Sequence, residues 1–160
     1  MRRMSPSIIE LSVLALWLGA ASFFSVGVAP ALFAVLPTRA LAGTAIGRML
    51  PGIFSSGMAL GVLIMIIEVS RRHGWSWGGR QVAGLVIAGS CAIAQFIVTP
   101  RIARLRAEIA GPIEDLSVDD GRRIAFGRLH GISVAWLGIA MLAAVVALVL
   151  CARTLESRRT

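Results

Sequence analysis

Four stretches of this chain contain no Asp, Glu, Lys or Arg: Leu11 to Leu36, Met49 to Ile67, Gln81 to Pro100 and Gly131 to Ala152, of 26, 19, 20 and 22 residues. A helix rising about 1.5 Å per residue needs about 20 apolar residues to cross roughly 30 Å of hydrocarbon, so each stretch is long enough to span. Backbone exposed to lipid must satisfy its own hydrogen bonds, which selects helix over irregular chain at that depth. The sequence therefore predicts an all-α integral membrane four-helix bundle. Composition excludes the ordinary alternative: 57% of the 160 residues are apolar before the 17 Gly are counted, where soluble domains average about 45–50% with Gly included.

The expected organisation is a single membrane domain over 1–160, with spans at about 8–29, 49–70, 81–100 and 130–152 and an interfacial link at 101–129. Met1-Arg2-Arg3 ahead of an apolar run imitates a signal peptide. That run is about twice a usual 7–15-residue h-region and is interrupted at its start by Glu10, so the segment is expected to stay as span 1. Pro30 predicts a kink or a break near Ala29. The segment from Pro37 to Pro51, with Arg39, Gly43, Gly47 and Arg48, reads as a link. Arg71 to Arg80 mixes Arg with Trp75 and Trp77, as an interfacial segment does. In the long link, Ile102, Leu105 and Ile109 repeat at intervals of three and four among Arg and Glu, the pattern of a short interfacial amphipathic helix between spans 3 and 4. Gly111-Pro112 ends that helix, and Ser117 with Asp120 resembles a capping box that starts the next one at Val118.

The net charge of +8 arises from 16 Arg against 8 acids. These Arg flank the apolar stretches, where lipid phosphates lie, and do not gather on one face as a nucleic-acid binder requires. Nucleic acid is thus excluded as a partner. An even number of spans puts both termini on one side, and Arg then divides 8 to 8 between the two sides. The acids of the long link tip the expectation slightly, towards an inner-membrane protein with both termini cytoplasmic. Cys91 and Cys151 fall inside apolar stretches and read as small hydrophobes.

The candidate functional cluster lies at the membrane end opposite the termini: Pro30, Arg39, Arg48, Pro100, Arg101, Arg104, Arg128 and His130. Charges and prolines at the hydrocarbon boundary are costly unless paired or hydrated. In the plain alternative, bundle loops simply collect Arg and Pro, and Arg snorkels to the headgroups. In the functional one, Arg101, Arg104 and Arg128 contact anions, His130 orients them, and Pro30 and Pro100 shape the helix ends. His73 lies at the other end, so the two His cannot clamp one metal or one haem iron. No metal site and no cofactor, haem included, is expected. Glu10 and Glu68 sit in the first and last turns of their spans, whereas a proton-coupled transporter more readily places a carboxylate mid-span. Gly57-x-x-x-Gly61, Gly84-x-x-x-Ala88 and Ala140-x-x-x-Ala144 permit close helix approach. There is no phosphate-binding Gly loop and no Ser/His/Asp set.

Three groups of residues carry a family resemblance: Trp17-x-Gly19-x-x-x-Phe23-Phe24 through Val28-Ala29-Pro30 to Leu36-Pro37 and Leu50-Pro51; Pro100-Arg101-Ile102 with Leu105-Arg106; and Phe126-Gly127-Arg128-Leu129-His130-Gly131-Ile132-Ser133. In order and spacing they resemble the transmembrane-protein-205-like family of four-span proteins, a domain of unknown function. The resemblance implies no established biochemical activity; a eukaryotic relative is linked to drug resistance and secretory trafficking. It adds weight to Pro30, Pro100, Arg101, Arg128 and His130 without assigning them roles. Size and span pattern are more distantly similar to membrane haem proteins, including a four-span protoporphyrinogen oxidase, but those carry a span-1 His that is missing here. The expected function is a non-enzymatic binding or structural component that engages lipid headgroups, a small anion, a membrane protein partner or a second copy of itself. The alternatives are a haem- or quinone-linked oxidoreductase component using His130, or a small transporter subunit.

Overall fold

Two prolines that read as helix breakers lie inside continuous helical rods. The computed structural model describes residues 6–72, 78–109 and 111–157. Its α-helices are α1 (Pro6–Phe23), α2 (Ala29–Val35), α3 (Arg39–Arg72), α4 (Gly79–Ile93), α5 (Thr99–Glu108) and α6 (Gly121–Glu156). A π turn, Phe24–Val28, joins α1 to α2, and a second, Ala94–Val98, joins α4 to α5. The six segments therefore make four rods. In each π turn the amide after the turn reaches back five residues, from Ala29 to the Phe24 carbonyl and from Thr99 to the Ala94 carbonyl. The extra residue per turn makes room for the pyrrolidine ring of Pro30 or Pro100, which otherwise collides with the carbonyl one turn back. Thr99 Oγ1 also donates to the Ala94 carbonyl at 2.9 Å.

All four rods are long and apolar enough to cross a membrane, and only 22–39% of each apolar window is buried within the bundle. Leu16, Val26 and Val35 are 75–80% exposed. Apolar surface on that scale is covered by lipid in a multi-pass membrane protein. The small core is built from Leu14, Trp17, Phe54, Leu60, Ile64, Ile87, Leu137 and the alanine stripe Ala140, Ala144 and Ala147 on α6. The small-residue spacings act where α3 crosses α4: a Cβ on Gly61 would strike the Gly84 carbonyl and lie 2.7 Å from the Ala88 amide. Gly57 leaves room for the indole of Trp17, which donates Nε1–H to the Ile53 carbonyl at 3.2 Å. Both cysteines are free and buried, and Cys151 Sγ lies 3.2 Å from the Ser7 carbonyl.

The helices extend further than the apolar stretches. With 34 and 36 residues, α3 and α6 are each about 50 Å long, well beyond the hydrocarbon thickness. The segment expected as a link from Pro37 to Pro51 is helical from Arg39, with Pro51 inside α3. The amphipathic segment after Pro100 is helical as expected, and it runs on from α4 through the π turn. The next helix starts at Gly121, not Val118, because the Asp120 carboxylate caps it by accepting the Arg122 amide at 2.8 Å. His73, Trp75 and Trp77 lie outside the described residues, as do Arg2, Arg3, Arg158 and Arg159.

Candidate functional site

The bundle has two dissimilar ends. At the terminal end, Glu10 of α1 and Glu68 of α3 are each 1% exposed. Arg71 Nη1 reaches Glu10 at 3.3 Å and Glu68 at 3.0 Å, and its Nη2 donates to Ser7 Oγ at 3.0 Å. Arg80 of α4 lies 2.8 Å from Glu68 and 3.8 Å from Glu10. Arg80 faces inward because α4 starts just before it, where Gln81 Oε1 accepts the Gly78 amide at 2.9 Å. Among the described side chains two carboxylates thus face two guanidiniums across three helices. The sequence placed Arg71 and Arg80 at lipid phosphates; instead they hold buried acids, because an unpaired carboxylate is too costly at that depth.

At the opposite end the charges are unbalanced. A cavity of about 390 Å³ opens among α2, α3, α5 and α6, beneath the 3₁₀ turn Ile113–Asp115. Arg39, Arg106, Arg123 and Glu114 mark its polar part; Phe33, Ile46, Leu50, Ile102 and Phe126 form its apolar walls, and His130 and Ser133 line α6. Arg106 is central. Its guanidinium lies along the bare face of Gly43, where a Cβ would come within 2.6 Å of Nη2, and over the Phe126 ring at 5.3 Å. Phe126 in turn stacks on the His130 ring, centroids 6.3 Å apart. The Nε–H of Arg106 is buried and donates to no acceptor among the described residues. Among the described residues no carboxylate pairs with Arg39, Arg106 or Arg123.

Glu114, the acid that lines the cavity, is already engaged. Its Oε1 accepts the Ala40 amide at 3.1 Å, capping α3 alongside Thr38 Oγ1, which accepts Leu41 N–H. Arg123 Nη1 donates to the carbonyls of Leu116 at 2.7 Å and Glu114 at 3.4 Å. The segment from Glu114 to Leu116 is thereby strapped from α3 to α6. Asp120, at the foot of α6, is held by hydrogen bonds from the Arg122 side chain and amide, which lower its pKa from 3.8 to about 2.

Of the residues singled out in the sequence, Arg39 and His130 line the cavity; Arg48, Arg101, Arg104 and Arg128 are exposed and do not. Pro30 is exposed and Pro100 half-buried, each following a π turn. Sequence reasoning missed Arg106, Arg123 and Glu114. One signal was available: Arg123, Phe126, Gly127, His130 and Ser133 fall at helical spacing once α6 is drawn back to Gly121. Among the described residues no group of three His, Cys, Asp or Glu is placed to hold a metal.

Comparison with curated proteins and with solved structures gives no match. The sequence profile of one family matches residues 12–110, from early α1 to just past the end of α5. The chain belongs to this family, a domain of unknown function (DUF4149).

Proposed function

We propose that this chain is a non-enzymatic binding component of the inner membrane whose ligand is an anion held by Arg39, Arg106 and Arg123. The observation that supports it is Arg106: a guanidinium set into a cavity wall, with a buried unpartnered Nε and, among the described residues, no carboxylate paired with it. Unanswered charge so placed calls for a negative partner. His130, at the same wall, supplies a further hydrogen-bonding group. Lipid headgroups are the nearest source of such a ligand, and a membrane partner protein or a second copy then meets the same end. The reading takes with it the resemblance to the transmembrane-protein-205-like proteins and an orientation with both termini facing the cytoplasm.

Titration of hexyl phosphate into the protein in neutral detergent tests the assignment. A hydrogen bond to a charged group contributes about 1.5–3 kcal/mol, so Arg106→Gln is expected to weaken binding tenfold or more. Arg48→Gln, on an exposed position outside the cavity, leaves it unchanged. Equal affinities in the two variants would remove the assignment.

A further inference from the structure

We propose that the ligand is a single-chain amphiphile with a phosphate-monoester head, and that it enters sideways from the bilayer through the seam between α2 and α6. The proposal rests on the anion assignment above and adds the chemistry of the ligand and its route.

The route follows from the two π turns. Before its π turn, the first rod packs on α6; beyond it, α2 packs on α3 and makes no more than glancing contact with α6. The third rod behaves similarly, since α4 packs on both α3 and α6 while α5 keeps α6 and parts from α3. The bundle therefore splays at one end only, and Arg106 fills the α3–α5 gap by lying against Gly43. The α2–α6 seam is not filled. Phe33 stands on its α2 side, half exposed, and Gly127 on its α6 side, where a Cβ would meet nothing within 4 Å. The water-facing mouth is crossed by the Glu114–Leu116 strap, which is hydrogen-bonded at both edges.

The lining sorts by depth. Arg39 and Arg123 lie at the strap; Leu50 and Ser133 lie deeper, eleven and ten residues further along α3 and α6, about 15 Å at the helical rise. Between them Ile46, Ile102 and Phe126 make the wall largely apolar, with Arg106 and His130 as its polar members. A free anion has no use for that depth, whereas a hydrocarbon tail does. The cavity of about 390 Å³ holds roughly a dozen water- or methylene-sized groups. That suits a head and part of one chain, not two full chains. The three arginines less Glu114 leave two positive charges, matching the −1.5 to −2 of a phosphate monoester near neutral pH.

The test uses a dodecyl phosphate bearing a diazirine at its chain end, in phosphatidylcholine vesicles containing the full chain. Irradiation is expected to label Ile46 to Leu50 and Phe126 to Ser133. Gly127→Phe puts a ring into the open seam and should cut that labelling at least fivefold; replacing a helical Gly does not weaken the helix, and an unchanged melting temperature confirms the fold. Phe33→Ala, which widens the seam, should label at least as fast as the parent. Labelling that is insensitive to Gly127→Phe, or spread evenly over lipid-facing positions such as Leu85 and Leu142, overturns the proposal. So does full displacement by aqueous glycerol phosphate, which identifies a soluble anion and leaves the anion assignment standing. That assignment fails separately, if Arg106→Gln binds hexyl phosphate as the parent does.

Discussion

The two ends of this bundle contain similar residues and use them in opposite ways. At the terminal end Arg71 and Arg80 each meet the carboxylates of Glu10 and Glu68 inside the bundle. At the other end three arginines surround a cavity whose acid is spent on capping α3. A buried charge that is answered inside the protein binds helices together; one left unanswered beside a cavity is available to something else. Placement explains the difference. Glu10 and Glu68 project from straight parts of α1 and α3, where the rods are packed tightly enough for Arg71 and Arg80 to reach both. Arg106 lies beyond the second π turn, on α5, and Arg39 and Arg123 sit near the first residues of α3 and α6 at the same end, where the rods part.

The largest effect is expected from breaking the closed end. Glu10→Gln leaves Arg71 and Arg80 facing one carboxylate, and removing one partner of a buried pair costs about 3–5 kcal/mol. A melt in mild detergent reads this as a large fall in Tm. Adding Arg80→Gln removes the guanidinium left without its second carboxylate and should recover at least half of the loss; no recovery would mean that the network acts through shape and not charge. Next comes the α3–α4 crossing. Gly61→Val forces a side chain against the Gly84 carbonyl and the Ala88 amide, and overpacking of this kind costs about 1–3 kcal/mol or more. An undiminished Tm would show that the two helices separate freely.

Smaller effects sharpen the open end. Gly43→Ala displaces only the tip of a flexible side chain, that of Arg106. Stability should change by less than about 1 kcal/mol, because Ala is the better helix former, while affinity for hexyl phosphate falls several-fold. Matched losses of stability and binding would contradict the separation. The smallest effect lies at Asp120. Its pKa is lowered in the fold from 3.8 to about 2, so its contribution is complete above the unfolded value and is lost as pH falls from about 4 to 2. Asp120→Ala should remove that acid-side slope, and Asp120→Asn should keep the cap but lose the pH dependence.

The four rods were legible because absence of charge over twenty residues is a physical requirement for spanning. The ends were less so, for reasons visible in single residues. Pro37, Pro51 and the glycines between them read as a link because each disfavours helix in water, yet Gly43 and Gly47 are what allow a guanidinium to lie against α3. Arg106 was counted with the polar face of an interfacial helix, since the parting of α3 from α5 that turns it inward depends on a π turn that spacing does not announce. Glu10 and Glu68 read as carboxylates in the first and last turns of their spans. Their true partners are 61 residues away from Glu10 and three from Glu68 in the case of Arg71, and the longer of those separations is invisible to a local pattern. Arg39 of α3 and His130 of α6 line the cavity, while Arg101 and Arg104 of α5 and Arg128 of α6 are exposed outside it.

The most direct measurement is the shift in melting temperature that dodecyl phosphate produces in neutral detergent, compared among three proteins. A ligand that binds only the folded state stabilises it by about 2.7 kcal/mol at a hundred times its Kd, enough to move Tm by several degrees. The parent chain and the Glu10→Gln, Arg80→Gln double variant should rise by the same amount, and Arg106→Gln, binding at least tenfold more weakly, should rise by no more than about half as much. An Arg106→Gln protein that rises as the parent does, or a double variant that alone fails to rise, would contradict the division of the molecule into a closed end and a binding end.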